Sequence, residues 1–127
     1  MASHPVVHVD LPASDPAAAA RFYETALGWH LEHDAKFDYW MFQATGGPGG
    51  GFVRAGQDAG GPMQYEIGKL LVYLGSDDID ADLARVEAAG GRTILPRTDI
   101  PGVGWFAVFA DPSGNQLGFF QSLPPAP

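Results

Sequence analysis

Two side chains near the start of the chain, His8 and Asp10, have the types and the spacing for acid–base or metal chemistry. They stand two residues apart in residues 6–11, a β-branched segment whose alternation predicts a strand. Residues two apart on a strand share one face and are separated by about 7 Å, so only long reach brings their side chains together. A histidine there can act as a general base next to a carbonyl group or as one ligand of a metal.

The composition excludes several other kinds of site. The chain has 127 residues and no cysteine, which removes disulfides, thiolate zinc sites, iron–sulfur clusters and cysteine nucleophiles. The glycine-rich residues 46–51 lack the Gly-Lys-Ser/Thr ending of a phosphate-binding loop and predict a turn. A Gly-x-Ser-x-Gly elbow is also absent, so a serine nucleophile is not expected.

The charge balance narrows the range of partners. Lysine and arginine total 7 against 15 aspartate and glutamate, for a formal net charge of -8. An acidic chain repels phosphate backbones and anionic lipid surfaces, so we expect neither nucleic acid nor a membrane as partner. A cationic small molecule remains compatible. With no visible secretory signal and no apolar run of membrane-spanning length, the expected location is cytoplasmic.

The helices and strands that position these residues are predicted as one series that occurs twice along the chain. Ser14 or Asp15 caps a first helix that ends at Gly28. Its apolar face is predicted on Ala18, Phe22 and Ala26, with Ala19 and Tyr23 beside it. Residues 76–78 (Ser-Asp-Asp) form a second capping segment before a second helix, whose inner stripe is predicted on Ile79, Leu83 and Val86. The strands are predicted at residues 6–11, 29–32, 37–44, 51–54, 70–75, 92–95, 105–110 and 117–121.

This recurrence is an internal repeat. An offset of 63 pairs Leu11 with Leu74 and Gly28 with Gly91, and an offset of 67 pairs Gly51 with Gly118. The sequence therefore predicts two β-α-β-β-β modules in a single domain. Module one covers residues 5–55, a connector covers 56–68, module two covers 69–121, and residues 122–127 form a loose tail.

The repeat carries recognisable motifs. The segments His8-Val9-x-Leu11-x3-Asp15 and Arg21-Phe22-Tyr23-x3-Leu27-Gly28-Trp29, with residues 106–115 near the end, resemble the vicinal oxygen chelate superfamily. This group includes glyoxalase I, extradiol dioxygenases, fosfomycin resistance enzymes and bleomycin-binding proteins. The resemblance spans residues 6–120 and is nearest to the small glyoxalase-related bacterial branch. It implies an α+β fold, with curved sheets around a cavity, helices outside, and pairing as a homodimer.

The resemblance also implies where a metal would bind. Metal-dependent members place one ligand on the first and the last strand of each module, and these positions carry His8, Gly51, Leu71 and Gly118. Only His8 has a donor atom, whereas protein metal sites normally use three or more ligands. We therefore expect no metal and no other cofactor, with a divalent metal at His8 as the minority alternative. The glycines at 51 and 118 are expected to open volume in the cavity.

The same layout predicts the residues around the ligand. Alternation along the fifth strand turns Leu70, Val72 and Leu74 toward the helix and Tyr73 toward the cavity. An aromatic, mostly apolar cavity is a normal small-molecule site. The predicted ligand-binding residues are His8, Asp10, Tyr39, Tyr73, Trp105, Gln116 and Phe120, with Met63 another candidate for the lining.

Three functions remain open from the sequence. The first is a metal-independent protein that binds or sequesters an organic ligand, for which the charge balance favours a cation. The second is a lyase or isomerase that uses His8 as its general base. The third is a non-catalytic domain that binds a partner protein.

Overall fold

The computed structural model describes residues 3–57 and 64–124, which form two helices and eight strands. The helices are α1 (Pro16–Leu27) and α2 (Ile79–Ala88). The strands are β1 (Val6–Ala13), β2 (His30–Asp34), β3 (Tyr39–Gln43), β4 (Gly49–Arg54), β5 (Leu71–Gly75), β6 (Arg92–Ile100), β7 (Gly104–Ala110) and β8 (Gln116–Ser122).

The chain divides into two compact units with matching topology. In the unit His8–Leu71 the strands lie in the order β2-β3-β4-β1, and β1 runs parallel to β4. The other unit comprises Met1–Val7 and Val72–Pro127; its order is β6-β7-β8-β5, and β5 runs parallel to β8. The identical order confirms the α+β fold of two β-α-β-β-β modules.

The first core lies between α1 and the inner side of β3 and β4. Its buried residues are Ala20, Phe42 and Phe52, and the ring of Tyr23 stacks on Phe52 at 5.4 Å. The predicted centre of the apolar face of α1 is wrong, since Ala18 and Ala26 are exposed and Phe22 is 62% exposed. Ala19 and Tyr23, which were predicted beside it, pack against the core. Stacking of Tyr23 against Phe52 and Trp29 turns the neighbouring face inward instead.

The second core follows the predicted stripe of α2. Ile79 and Leu83 are buried against Ala107, Phe109 and Phe119, and Val86 packs on the same cluster. Leu74 joins this cluster, as the alternation predicts. Leu70 does not, because it precedes β5 and is 52% exposed; its predicted helix-facing position is wrong.

Local capping rules are obeyed at both helices. The carboxylate of Asp15 accepts a hydrogen bond from the Ala18 amide at 3.2 Å, and Asp78 accepts from the Ala81 amide at 3.1 Å. Gly28 ends α1 with a φ of 71°, a left-handed conformation that favours glycine. In the described part of the chain, no helix is long and apolar enough to cross a membrane.

Asp82 is the buried charge of the second unit. It is 3% exposed, and it accepts hydrogen bonds from Ser76 Oγ at 2.5 Å and from the Arg85 guanidinium. His4 Nε2 lies 3.6 Å from its Oδ1, while His4 Nδ1 lies 2.8 Å from the carbonyl oxygen of Gly75. The carboxylate thus ties α2 to the segment before β1 and to the end of β5.

Replacing Asp82 is expected to destabilise the fold. Asp82→Ala leaves Ser76 without its acceptor and removes a charge-assisted bond, so we expect a loss of about 2–3 kcal/mol. The matched control is Asp80→Ala on the same turn, whose carboxylate is 64% exposed and lies 3.5 Å from Arg97. It should lose less than about 0.5 kcal/mol. Urea unfolding measures both, and equal losses would contradict this role for Asp82.

Candidate functional site

Three polar side chains of the first unit meet at one point. His8 Nε2 lies 3.0 Å from Asp10 Oδ1 and 2.7 Å from Tyr39 Oη. The Tyr39 hydroxyl donates a short hydrogen bond to the same Asp10 oxygen. Asp10 is 4% exposed, whereas the side chain of His8 is 31% exposed. A buried carboxylate therefore stands behind an accessible imidazole.

Strand register brings these groups together. On β1, Asp10 pairs with Gly51 of β4, and on the other side of β4 the same glycine pairs with Met41 of β3. Tyr39 precedes Met41 by two residues, so its side chain projects from the same face, diagonal to Gly51. The hydroxyl of Tyr39 then reaches Asp10 across a strand that has no side chain at this position.

Gly51 is required because the ring of Tyr39 occupies the space of a side chain. A Cβ at this residue would lie 1.9 Å from Cζ and Oη of Tyr39. The second unit repeats the arrangement, since a Cβ at Gly118 would lie 2.4 Å from Cδ1 of Tyr73. The expectation that the two glycines open volume is therefore wrong, because tyrosine rings fill both spaces.

The ionisation of Tyr39 responds to this environment. Burial raises the pKa of Tyr39 far above its ordinary value, and the charge of Asp10 raises it further. The phenol consequently keeps its proton and serves as a hydrogen-bond donor to Asp10. It cannot act as a phenolate base at neutral pH.

The accessible side of His8 borders a cleft of about 310 Å³. Its lining includes His8, His30, Glu32, Met41, Gln43 and Gly49. The sequence did not single out His30, Glu32, Met41 or Gln43 as ligand-binding. Their pairing in the β2–β3 hairpin, His30 with Gln43 and Glu32 with Met41, places them on one face. The alternation of polar residues along β2 could have indicated an exposed face. Which residues of β3 share that face follows only from the register of the hairpin.

The remaining predicted site residues belong to the second unit. Tyr73 lies over Gly118 and contacts the ring of Phe106 at a centroid distance of 6.5 Å. Trp105 packs against the second core, with the Arg97 guanidinium 5.7 Å from its ring. Gln116 is exposed at the start of β8, and Phe120 lines a separate cleft with His4. Met63 lies outside the described residues.

The positions that would hold a metal do not fit one. His8 is the single donor among the four, and its Nε2 is already engaged by Asp10 and Tyr39. The side chains absent at Gly51 and Gly118 are replaced by tyrosine rings. Across residues 3–57 and 64–124, no three His, Asp or Glu side chains converge in a way that could hold an ion.

Tyr39 gives the fold a specific dependence on alkaline pH. In Tyr39→Phe the buried Asp10 loses a donor, so we expect a loss of about 1–3 kcal/mol at pH 8. The folded-state pKa is raised above the unfolded value of 10.0. The stability that Tyr39 contributes is therefore complete below pH 10 and falls above it, by about 1.4 kcal/mol per pH unit.

Urea unfolding of wild type and Tyr39→Phe at pH 8, 10 and 11 checks this dependence. The other tyrosines cancel in the difference between the two proteins, so the gap should narrow above pH 10. A gap that stays constant from pH 8 to 11 would show that Tyr39 ionises equally in the folded and unfolded chains.

Two bacterial proteins are similar to this chain in sequence. The chain is 36% identical over 121 residues to "Putative glyoxylase CFP32" of Mycobacterium bovis, a match that covers 93% of this chain and 43% of that protein. It is 34% identical over 123 residues to the "Anthracycline biosynthesis protein DnrV" of Streptomyces peucetius, covering 88% and 45%. The chain thus spans less than half the length of these relatives.

A solved structure and a family model complete the comparison. Methylmalonyl-CoA epimerase from Mycobacterium tuberculosis has the same fold, with a TM-score of 0.68 at 16% identity, over 98% of this chain and 93% of that one. The model of the Glyoxalase/Bleomycin resistance protein/Dioxygenase superfamily matches residues 6–119. With two repeated modules and a match over nearly its whole length, the chain belongs to the glyoxalase/bleomycin resistance protein/dioxygenase superfamily.

Proposed function

We propose that this protein binds a small organic molecule without a metal, in the cleft that His8 borders. One observation carries the proposal: the ring of Tyr39 fills the space beside Gly51 and places its hydroxyl on Asp10 and His8. At position 51, where metal-dependent members of the family carry a ligand, this chain has the ring of Tyr39 over a glycine. Within this cluster, the imidazole of His8 is more exposed to solvent than the carboxylate of Asp10.

The composition of the cleft favours an organic ligand with a positive charge. Met41 and Phe42 supply apolar surface, and Gln43 supplies an amide. Glu32 adds a carboxylate that is 64% exposed, within a chain of net charge -8. Apolar walls with a few polar groups are typical of small-molecule sites, and the negative field attracts cations. The relative DnrV is named an anthracycline biosynthesis protein, and an anthracycline is therefore a suitable first probe.

Binding is tested with doxorubicin, a fluorescent anthracycline that carries an ammonium group. We expect saturable binding, with amide chemical-shift changes concentrated at Gly49 and Gly50 in the cleft. His8→Ala and Glu32→Gln should each weaken binding about tenfold, a loss near 1.4 kcal/mol. The matched control is His33→Ala, because His33 bonds to the exposed Asp38 and does not line the cleft.

Two results would oppose this proposal. Shift changes confined to residues away from the cleft, or equal affinity in His8→Ala, would remove the site from this part of the chain. Titration of chelator-treated protein with Zn²⁺ or Ni²⁺ tests the metal separately. One tightly bound ion per chain, lost in His8→Ala and kept in His33→Ala, would overturn metal independence.

The contact between His8 and Asp10 supports a second candidate function. A carboxylate 3.0 Å from an imidazole orients it and stabilises the imidazolium that forms when it takes a proton. On this alternative the protein is a lyase or isomerase, and His8 removes a proton next to a carbonyl group. The relative from Mycobacterium bovis carries the name "Putative glyoxylase CFP32", which is the name of an enzyme.

Proton exchange distinguishes catalysis from binding alone. The probe is the hemithioacetal of methylglyoxal and glutathione in D₂O, with exchange of its carbon-bound proton followed by NMR. An enzyme of this class should lose at least about 100-fold of its exchange rate in His8→Ala, and nothing in His33→Ala. Exchange that is equally fast in wild type and His8→Ala would rule out His8 as the base.

A further inference from the structure

We infer that the ligand lies across the strands of the first unit and contacts two walls of the cleft at once, His8 on β1 and Glu32 on β2. This orientation rests on the proposed function and defines the class of molecule that the cleft takes. The ligand is an extended, flat ring system with polar groups at both ends, at least one of them positively charged.

Strand pairing arranges the cleft residues in two rows that cross four strands. Residues that pair across neighbouring strands project from the same face of the sheet. The first row contains His8, Gly49, Gln43 and His30, and the second contains Asp10, Gly51, Met41 and Glu32. In the first row, Gln43 follows Phe42, the partner of Gly50, and a Cβ at Gly49 would lie 3.8 Å from Gln43 Cγ. The two rows therefore share one face, which β1 and β2 bound on opposite sides.

Each wall of the cleft holds one histidine and one carboxylate, but their exposure differs. On β1, Asp10 is 4% exposed, whereas the side chain of His8 is 31% exposed. On β2, the side chains of His30 and Glu32 are 68% and 64% exposed, and His30 Nε2 lies 3.2 Å from Glu32 Oε1. A ligand in the cleft therefore meets a histidine at each wall, an accessible carboxylate at β2 and a buried one at β1.

Between the two walls, the floor of the cleft is a part of β4 where glycine occupies this face. The ring of Tyr39 covers Gly51, and Gly49 lines the cleft. A Cβ at Gly49 would lie 2.8 Å from the carbonyl oxygen of Phe42, so the pairing of β3 with β4 keeps this position without a side chain. A glycine in a strand lets a ligand approach the backbone closely, which suits the face of a planar ring.

The distance between the walls sets the length of the ligand. Neighbouring strands are about 4.8 Å apart, so the three spacings from β1 to β2 separate the Cα atoms of His8 and His30 by about 14 Å along the sheet. A small amine with a single ring is shorter than this separation, whereas a fused polycyclic molecule is comparable to it. Glu32 and the net charge of -8 favour a positive charge on that molecule.

A double-variant cycle with doxorubicin tests contact with both walls. We expect His8→Ala and Glu32→Gln each to weaken binding about tenfold, and the double variant to weaken it about 100-fold, because effects at well-separated sites add. If doxorubicin occupied one wall or the other in turn, each single variant would lose about twofold at most, and only the double variant would lose more. Fluorescence titration measures all four affinities.

Benzylamine is the short probe, and its binding is followed at millimolar concentration by amide chemical shifts. It should lose affinity in at most one of the two single variants, or fail to bind, because it cannot reach both walls. The matched controls are His33→Ala and Glu24→Gln, which remove the same two groups outside the cleft: His33 bonds to Asp38, and Glu24 is exposed on α1. Neither control should change the affinity for doxorubicin.

The outcomes separate this orientation from the proposed function. A tenfold loss in His8→Ala without a loss in Glu32→Gln would leave the site in place and overturn the orientation. The pattern expected for alternating occupancy would do the same, as would weaker benzylamine binding in both single variants. Equal affinity in His8→Ala, or no binding of doxorubicin to the wild type, would overturn the proposed function and the orientation together.

Discussion

A buried carboxylate organises the first module. Asp10 is almost inaccessible, and a charge in that position is tolerated only when donors surround it. The Tyr39 hydroxyl supplies one donor, and Nε2 of His8 lies 3.0 Å from the same oxygen. The Tyr39 hydroxyl reaches Asp10 across Gly51, so this hydrogen bond also requires a residue without a side chain at that position. The hydrogen bond to this one carboxylate thus depends on the glycine of β4 and on the register of β3 against β4.

The two modules fill the same space by different means. In the second module Tyr73 pairs with Gly118 and covers it from the adjacent strand. The repeat offset of 63 places Asp10 at the corresponding position of the first module, where its short side chain cannot cover Gly51. Tyr39 covers it from β3 instead. The first module thus gains a charged, hydrogen-bonded cluster where the second has an aromatic contact, so the repeats have diverged in chemistry while their topology is the same.

Sequence reasoning succeeded where local rules decide the structure and failed where packing decides it. The two predicted capping segments and the inner stripe of α2 follow from short-range preferences and are confirmed. Of the candidates in each segment, the structure selects Asp15 and Asp78. The centre of the apolar face of α1 was misplaced because the four consecutive alanines, residues 17–20, put small apolar side chains on every side of the first turns. Tyr23 stacking on partners far along the chain then selects the face.

The candidate site shows the same division. His8 and Asp10 were predicted from their spacing, yet their separation along β1 gave no reason to expect direct contact. Tyr39 was named without a direction, since its facing depends on the register of two hairpins. The glycines were correctly identified as positions without metal donors, but their role was misread. A missing side chain looks like empty space in a sequence, whereas in the folded chain a neighbour occupies it.

The cluster accounts for why binding and catalysis are both chemically reasonable at one site. In a neutral imidazole, the lone pair that accepts a hydrogen bond from a ligand is also the lone pair that would remove a proton. A ligand with an ammonium group would donate a hydrogen bond to this atom and stay chemically unchanged. A ligand with an acidic C–H would lose its proton to the same atom, and Asp10 would stabilise the imidazolium. The acidity of the bound molecule, rather than any rearrangement of the protein, would then separate the two functions.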